Sequence, residues 1–173
     1  MAETKRKSKS GTLRTEVFAM RLDPKLKYLA EIAARRQRRS LANFVEWAIE
    51  MGLNHTDLNQ NSQYSPTIWD KSGELWDIEE AERFARLAFM APELMTYDEQ
   101  ILWKIICETG HVWKGHHDSD GDWQWKVNSI QNLVLERLRK FWEDFKKVAS
   151  GEADRSILPA TSEKEPEDSD IPF

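Results

Sequence analysis

Eight residues near the amino end, Thr15-Glu16-Val17-Phe18-Ala19-Met20-Arg21-Leu22, alternate at period two. Together with the two helical patterns after them, they restrict the fold more than any other stretch. Phe18, Met20 and Leu22 fall on one face and Thr15, Val17, Ala19 and Arg21 on the other, the pattern of a short strand with one side to bury. Asp23 then stands as a helix N-cap with Pro24 at the first helical position, and Leu26, Leu29, Ala30 and Ala33 recur at helical spacing to about Gln37. Ser40 caps a second predicted helix, with the stripe Phe44, Val45, Ala48 and Ile49 and an end marked by Gly52.

A lone eight-residue strand has two open edges, and two short helices cannot cover them, so residues 15–53 are expected to need a second copy of the chain. Antiparallel pairing of two such strands would pack Phe18, Met20 and Leu22 of both chains onto four helices, with Leu26, Phe44, Val45, Ala48 and Ile49 completing a dimer core. The opposite face would point outward. A two-stranded ribbon fits the major groove of B-DNA, so the arrangement predicts a DNA-binding dimer.

The charge distribution agrees with that expectation where the average does not. The net charge is -5, yet residues 1–53 carry 12 basic and 6 acidic side chains, residues 54–151 carry 11 and 17, and residues 152–173 carry 2 and 7. A basic head precedes an acidic body and tail. Residues 1–14 have almost nothing to bury and are expected to form a disordered basic arm. Lys5, Arg6, Lys7 and Lys9 on that arm, and the cluster Arg35-Arg36-Gln37-Arg38-Arg39 between the two helices, are expected to reach phosphates. Affinity should then fall with salt, with a log-log slope of roughly -0.9 per phosphate neutralised.

From Thr15 to Leu53 the chain resembles the ribbon-helix-helix superfamily of the Arc, MetJ and CopG type. The resemblance rests on Phe18-Ala19-Met20-Arg21-Leu22-Asp23-Pro24-Lys25-Leu26, an alternating strand ending in Arg-Leu before a helix-starting dipeptide, and on Arg39-Ser40 followed by Phe44-Val45 and Ala48-Ile49. It implies that Thr15, Val17, Ala19 and Arg21 face the bases and that the amino end of the second helix, at Ser40, Leu41 and Ala42, clamps a phosphate with help from Arg38 and Arg39. Free N–H groups and the helix dipole favour an anion there on general grounds. Arg21 suits guanine, because its fork can bond O6 and N7 together. Val17 and Ala19 offer only apolar contact, so specificity is expected to lean on DNA shape. The family also favours glycine between its helices, whereas this chain has arginines, so a non-glycine residue is expected in a strained or altered turn.

Residues 54–66 are polar and turn-rich and predict a linker, with a helical body over residues 67–151 and an acidic, disordered tail over 152–173. In the body, Asp77 with Glu80 and Thr96 with Glu99 read as capping boxes opening helices over about 78–91 and 97–109. A longer helix is predicted from Asn128 to Ala149, and HVWKG and WQWKV around HHDSDGD permit a small hairpin. The fold class is therefore mainly α. Six of the eight tryptophans, Trp69, Trp76, Trp103, Trp113, Trp123 and Trp125, fall between the linker and the long helix and are expected to pack its core. Trp47, beside the Phe44/Ala48 stripe, is expected to dock against the body or across the dimer.

The weak metal candidates are Cys107, His111, His116 and His117. Their spacing lacks the paired pattern of common zinc sites, and an EF-hand loop counted from Asp118 would need glutamate where Ser129 stands. With no Gly-rich phosphate loop, HExxH or Gly-x-Ser-x-Gly, the chain is expected to be neither an enzyme nor a cofactor binder. A single cysteine cannot close an intrachain disulfide, and no apolar run approaches the roughly 18 residues that cross a bilayer. A soluble, cytoplasmic protein is expected. These features together predict a homodimeric or higher-order, sequence-selective bacterial repressor binding double-stranded DNA. An antitoxin or a plasmid partition or transfer accessory protein with the same head is the alternative. A reading of another class is a protein-interaction adaptor that uses the head only to dimerise and the body to bind a protein partner.

Overall fold

A computed structural model describes residues 19–59 and 65–160. The chain divides into two compact units, Met1–Ile49 and Glu50–Phe173, and the described residues are mainly helical.

In the first unit, helix α1 runs over Pro24–Arg36. Asp23 Oδ1 accepts the N–H groups of Lys25 at 2.9 Å and Leu26 at 3.3 Å, and Pro24 fills a position where an N–H would have no partner. The helix ends in a Schellman turn: the Arg39 N–H donates to the Ala34 carbonyl at 2.9 Å and the Arg38 N–H to that of Arg35 at 3.1 Å. Arg38 holds the left-handed position of that turn at φ +56°, so the strained residue expected between the helices is Arg38. Helix α2 then runs over Leu41–Leu53, one residue beyond the expected end at Gly52. Thr15, Val17 and Phe18 of the predicted strand lie outside the described residues. Ala19–Leu22 form no ladder with another described segment.

The second unit opens with a fold-back directly after α2. Leu58 and Ile68 donate their N–H groups to the carbonyls of Pro66 and Thr56 at 2.9 Å each, Asp57 bridges Thr67, and Leu58 is buried. The described part of 54–66 thus returns on itself, because the one leucine in that polar stretch finds cover. Residues 60–64 lie outside the described residues. A short helix α3 (Ser72–Leu75) leads to α4 (Glu80–Met90), which stops before Pro92, and to α5 (Tyr97–Glu108). Thr96 and Glu99 form the expected capping box. Asp77 and Glu80 do not. Asp77 Oδ1 accepts the Glu79 N–H at 3.0 Å and its Oδ2 takes the Arg86 guanidinium at 2.6 Å, so α4 starts after Glu79 instead.

The hairpin consists of β1 (Gly115–His117) and β2 (Trp123–Trp125), antiparallel, with Gly115 opposite Trp125 and His117 opposite Trp123. Its loop is shorter than HHDSDGD, because both histidines join the ladder. The single helix expected over 128–149 is instead a turn at Ile130–Asn132 followed by α6 (Leu135–Lys140) and α7 (Trp142–Ser150). The reason is a competing ladder: the Lys114 N–H donates to the Asn132 carbonyl and the Val134 N–H to the Val112 carbonyl, both at 2.8 Å, with Trp113 bridging Leu133. Those bonds hold Val134 extended, and the helical pattern can begin only after it.

The core of this unit packs α4, α5, α6 and α7 around Phe145, Ile106, Leu138, Val112 and Trp113, all fully buried. Trp113 can be buried whole because its Nε1 donates to the Ile106 carbonyl at 2.9 Å. Trp103 and Phe89 meet it edge-on. The expectation that the tryptophans pack the core holds for Trp103 and Trp113 and partly for Trp125. Trp123 stacks on the hairpin instead, edge-on to Trp125 and His117, and Trp69 and Trp76 are exposed. Beyond Gly151, which closes α7 at φ +79°, the chain stays ordered through a turn at Arg155–Ile157, and Leu158 packs on the core. Residues 152–158 of the expected tail therefore belong with the body. Residues 161–173 lie outside the described residues.

Candidate nucleic-acid interface

The amino end of α2 is built from two adjoining caps. Ser40 Oγ accepts the Asn43 N–H at 3.2 Å while the Ser40 carbonyl accepts the Phe44 N–H at 3.0 Å. Geometry leaves the N–H groups of Leu41 and Ala42, in the first turn, without a carbonyl to reach inside the helix. Arg38 and Arg39 are exposed immediately before them, and Arg35 and Arg36 close the preceding helix. The Schellman turn thus delivers the carboxyl end of α1 and the amino end of α2 to one place, with four guanidinium groups in five positions. Arg35 is shared with Glu31 at 3.7 Å. Arg39 lies 5.5 Å from the centre of the Trp47 ring, which also meets Phe44 at 5.6 Å. The indole thus has contacts on its own helix and on the residue before the cap.

Around this basic corner much of the apolar surface of the unit is uncovered: Met20, Leu26, Leu29 and Ile49 keep 50–55% of their surface exposed. Phe44, Val45 and Leu22 are half-buried and Ala48 is exposed. Ala34 is the one buried apolar residue among the described residues of this unit. Ala19 and Arg21 are exposed. Of the expected contact residues, the structure brings Arg38, Arg39, Ser40, Leu41 and Ala42 together. Thr15, Val17, Lys5, Arg6, Lys7 and Lys9 lie outside the described residues, as does Phe18.

The body offers no comparable cluster for metal chemistry: among the described residues no three His, Cys, Asp or Glu side chains gather as ligands. Cys107 is half-buried, and desolvation, with Glu108 beside it, pushes its thiol up to about 11. His111 meets the Phe141 ring edge-on at 5.5 Å, and its carbonyl accepts from Arg137. His116 and His117 stand in β1, and His117 Nδ1 is 3.0 Å from the Gly121 carbonyl. Asp118, where the rejected EF-hand count begins, accepts the N–H groups of Asp122 and Asp120, which hold its carboxyl below the ordinary range.

Two arginines of α4, Arg83 and Arg86, carry no signal in the sequence, because most of their partners are carbonyls of the preceding loop, which have no side-chain signature. Compared with protein-family models, with curated proteins and with solved structures, the chain finds no match.

Proposed function

We propose that the chain is a homodimeric, sequence-selective DNA-binding protein of the ribbon-helix-helix kind that acts as a transcriptional repressor. The observation that carries this reading is the pairing of an uncovered apolar stripe with a basic, N–H-rich helix end in one small unit. Met20, Leu26, Leu29 and Ile49 are half exposed, a poor state for a unit whose described residues bury one alanine. A second copy supplies the missing cover. The same association doubles the phosphate-facing groups at Arg38, Arg39, Ser40, Leu41 and Ala42, and sets two strands beside each other with Arg21 outward.

Selection of bound fragments from a random duplex pool tests the proposal. Two half-sites in inverted or tandem arrangement are expected, with Arg21→Ala relaxing the preference at one base pair per half-site and Arg38→Ala weakening all sequences alike. Failure to retain any duplex at low salt would refute it. The helical body, which folds around its own core, favours a repressor over an antitoxin whose masking segment orders only on its target.

A further inference from the structure

Trp76 and Ile78 flank Asp77 in the segment that enters α4, and they are 67% and 84% exposed. Two arginines of α4 hold them there. Arg86 Nη1 donates to the carbonyls of Glu74 at 3.2 Å and Trp76 at 3.1 Å, and Nη2 to the Asp77 carboxylate at 2.6 Å. Arg83 Nη1 donates to the carbonyls of Asp77 at 2.8 Å and Ile78 at 3.0 Å, and its guanidinium lies 4.8 Å over the Trp76 ring. The loop is therefore ordered before anything touches it, so a partner would meet a fixed indole and a fixed isoleucine without the entropy cost of arranging them. Tryptophan and arginine in such a setting are the residue types that dominate interface energies.

The loop does not stand alone. Arg86 and Glu74 also line an open groove of about 550 Å³ whose apolar walls are Phe89, Met90, Ile130 and Leu135. Projecting apolar side chains and a receiving groove thus share one arginine. Charge decides what can settle there. Residues 70–86 hold six acidic and three basic side chains, Arg139 and Lys146 pair with two of the six, Glu82 and Glu80, and residues 54–151 as a whole keep 17 acidic side chains against 11 basic, a surplus that disfavours DNA and a second copy alike.

We propose that this surface docks a basic amphipathic segment of another protein, its apolar side chains entering the groove beside Trp76 and Ile78 and its lysines and arginines meeting the acidic surplus. Met90 gives the groove wall the adaptability that side-chain insertion requires. This assignment is independent of DNA binding by the head, which presents the opposite charge.

The test is selection of a random peptide library displayed on phage against the full-length protein, with the Trp76→Ala/Ile78→Ala double variant used for counter-selection. Enriched sequences are expected to interleave lysine or arginine with apolar residues, and a synthetic peptide of that sequence to bind more weakly as salt is added. The double variant should lose about tenfold or more in affinity for it. Gln131→Arg, an exposed change in the groove, places a like charge against the peptide and should weaken binding several-fold without touching the loop. Superimposable thermal unfolding of the variants separates these losses from misfolding, and the Gln131 variant alone suffices if the loop variant does not fold. Enrichment of neutral or acidic peptides, no enrichment at all, or binding that survives both variants overturns the proposal. So does loss in the double variant of an assembly that sedimentation detects in the wild type, which would give the surface to a second copy.

Discussion

If a partner copy covers the head, Leu26→Ala should weaken assembly by an amount the exposure sets. Leu26 is 55% exposed in the single chain. Burying a whole leucine contributes about 1.5–3 kcal/mol, so the uncovered part is worth about 0.8–1.7 kcal/mol per chain and about 1.7–3.3 kcal/mol per dimer. At about 1.4 kcal/mol per decade, the dimer dissociation constant should rise roughly 15- to 200-fold. Tyr28 supplies the control. It is exposed to 61%, more than Leu26, but at about 100° per residue it lies about 130° from the middle of the Leu26, Leu29, Ala33 stripe. Tyr28→Ala should therefore leave assembly unchanged. Sedimentation equilibrium over a range of protein concentrations reads both variants, and fluorescence anisotropy on a selected duplex should show the Leu26 variant losing DNA in parallel wherever the protein is below its dimer dissociation constant. An equal loss in the Tyr28 variant would mean that exposure alone, not the stripe, drives association, and an unaffected Leu26 variant would rule out a dimer built on that stripe.

Three further perturbations separate the roles of single positions. Arg38→Gly relieves a left-handed residue at φ +56° and should raise unfolding stability by about 1 kcal/mol. The same change removes two cations per dimer and should reduce the salt slope of DNA binding by up to about 1.8, so stability and affinity move in opposite senses in melts and titrations. Gly115→Ala places a Cβ into the Trp123 indole, and the displaced ring should cost about 1 kcal/mol or more and alter the near-ultraviolet circular dichroism, with α-helical signal retained. Cys107, with its thiol pushed up to about 11 from an ordinary value of 9.0, should react with iodoacetamide at pH 8 roughly 10- to 100-fold more slowly in the folded protein than in urea. A raised thiol pKa also means that stability is kept through neutral pH and declines as pH climbs from 9.0 toward 11. Equal labelling rates in the two states would show that burial does not suppress the thiolate.

The parts of this fold written in side chains were legible, and those written in backbone pairing were not. Asp23 and Pro24 start α1 and Thr96 with Glu99 starts α5 because capping chemistry is local. The apolar periodicity from Ile130 to Val148 is genuine too, and Ile130, Leu133, Leu138, Trp142, Phe145 and Val148 of it belong to the core or pack on it. Yet the period cannot register that the backbone at Asn132 and Val134 is claimed by Lys114 and Val112, about twenty residues earlier. Asp77 and Glu80 form no capping box for a related reason: Asp77 Oδ1 takes the Glu79 N–H and its Oδ2 an arginine nine positions later, and the helix starts only after Glu79. At the candidate interface, Ser40 and the arginines could be read from their order alone. Which of those arginines would take the left-handed position depended on the Schellman bonds to Ala34 and Arg35, and only the structure gives those.

Tryptophan shows most plainly why composition cannot assign function by itself. Trp113 and Trp76 are the same residue type in the same unit, one fully buried and the other largely in solvent. The difference lies in where each indole and its backbone find partners. Trp113 points its N–H at the Ile106 carbonyl and so meets no desolvation penalty inside. Trp76 has its carbonyl held by Arg86 and its ring face covered by Arg83, both rooted in α4, so turning inward would break a network of charge-assisted bonds. Charge then divides the work. On the proposed reading, the arginine cluster at the helix junction of the first unit is the surface for a polyanion, and the second unit, with 17 acidic against 11 basic side chains over residues 54–151, is the one for a basic protein segment. A double variant at Trp76 and Ile78 should accordingly leave duplex binding intact while weakening peptide capture about tenfold or more, and Arg38→Ala should weaken duplex binding and leave peptide capture intact.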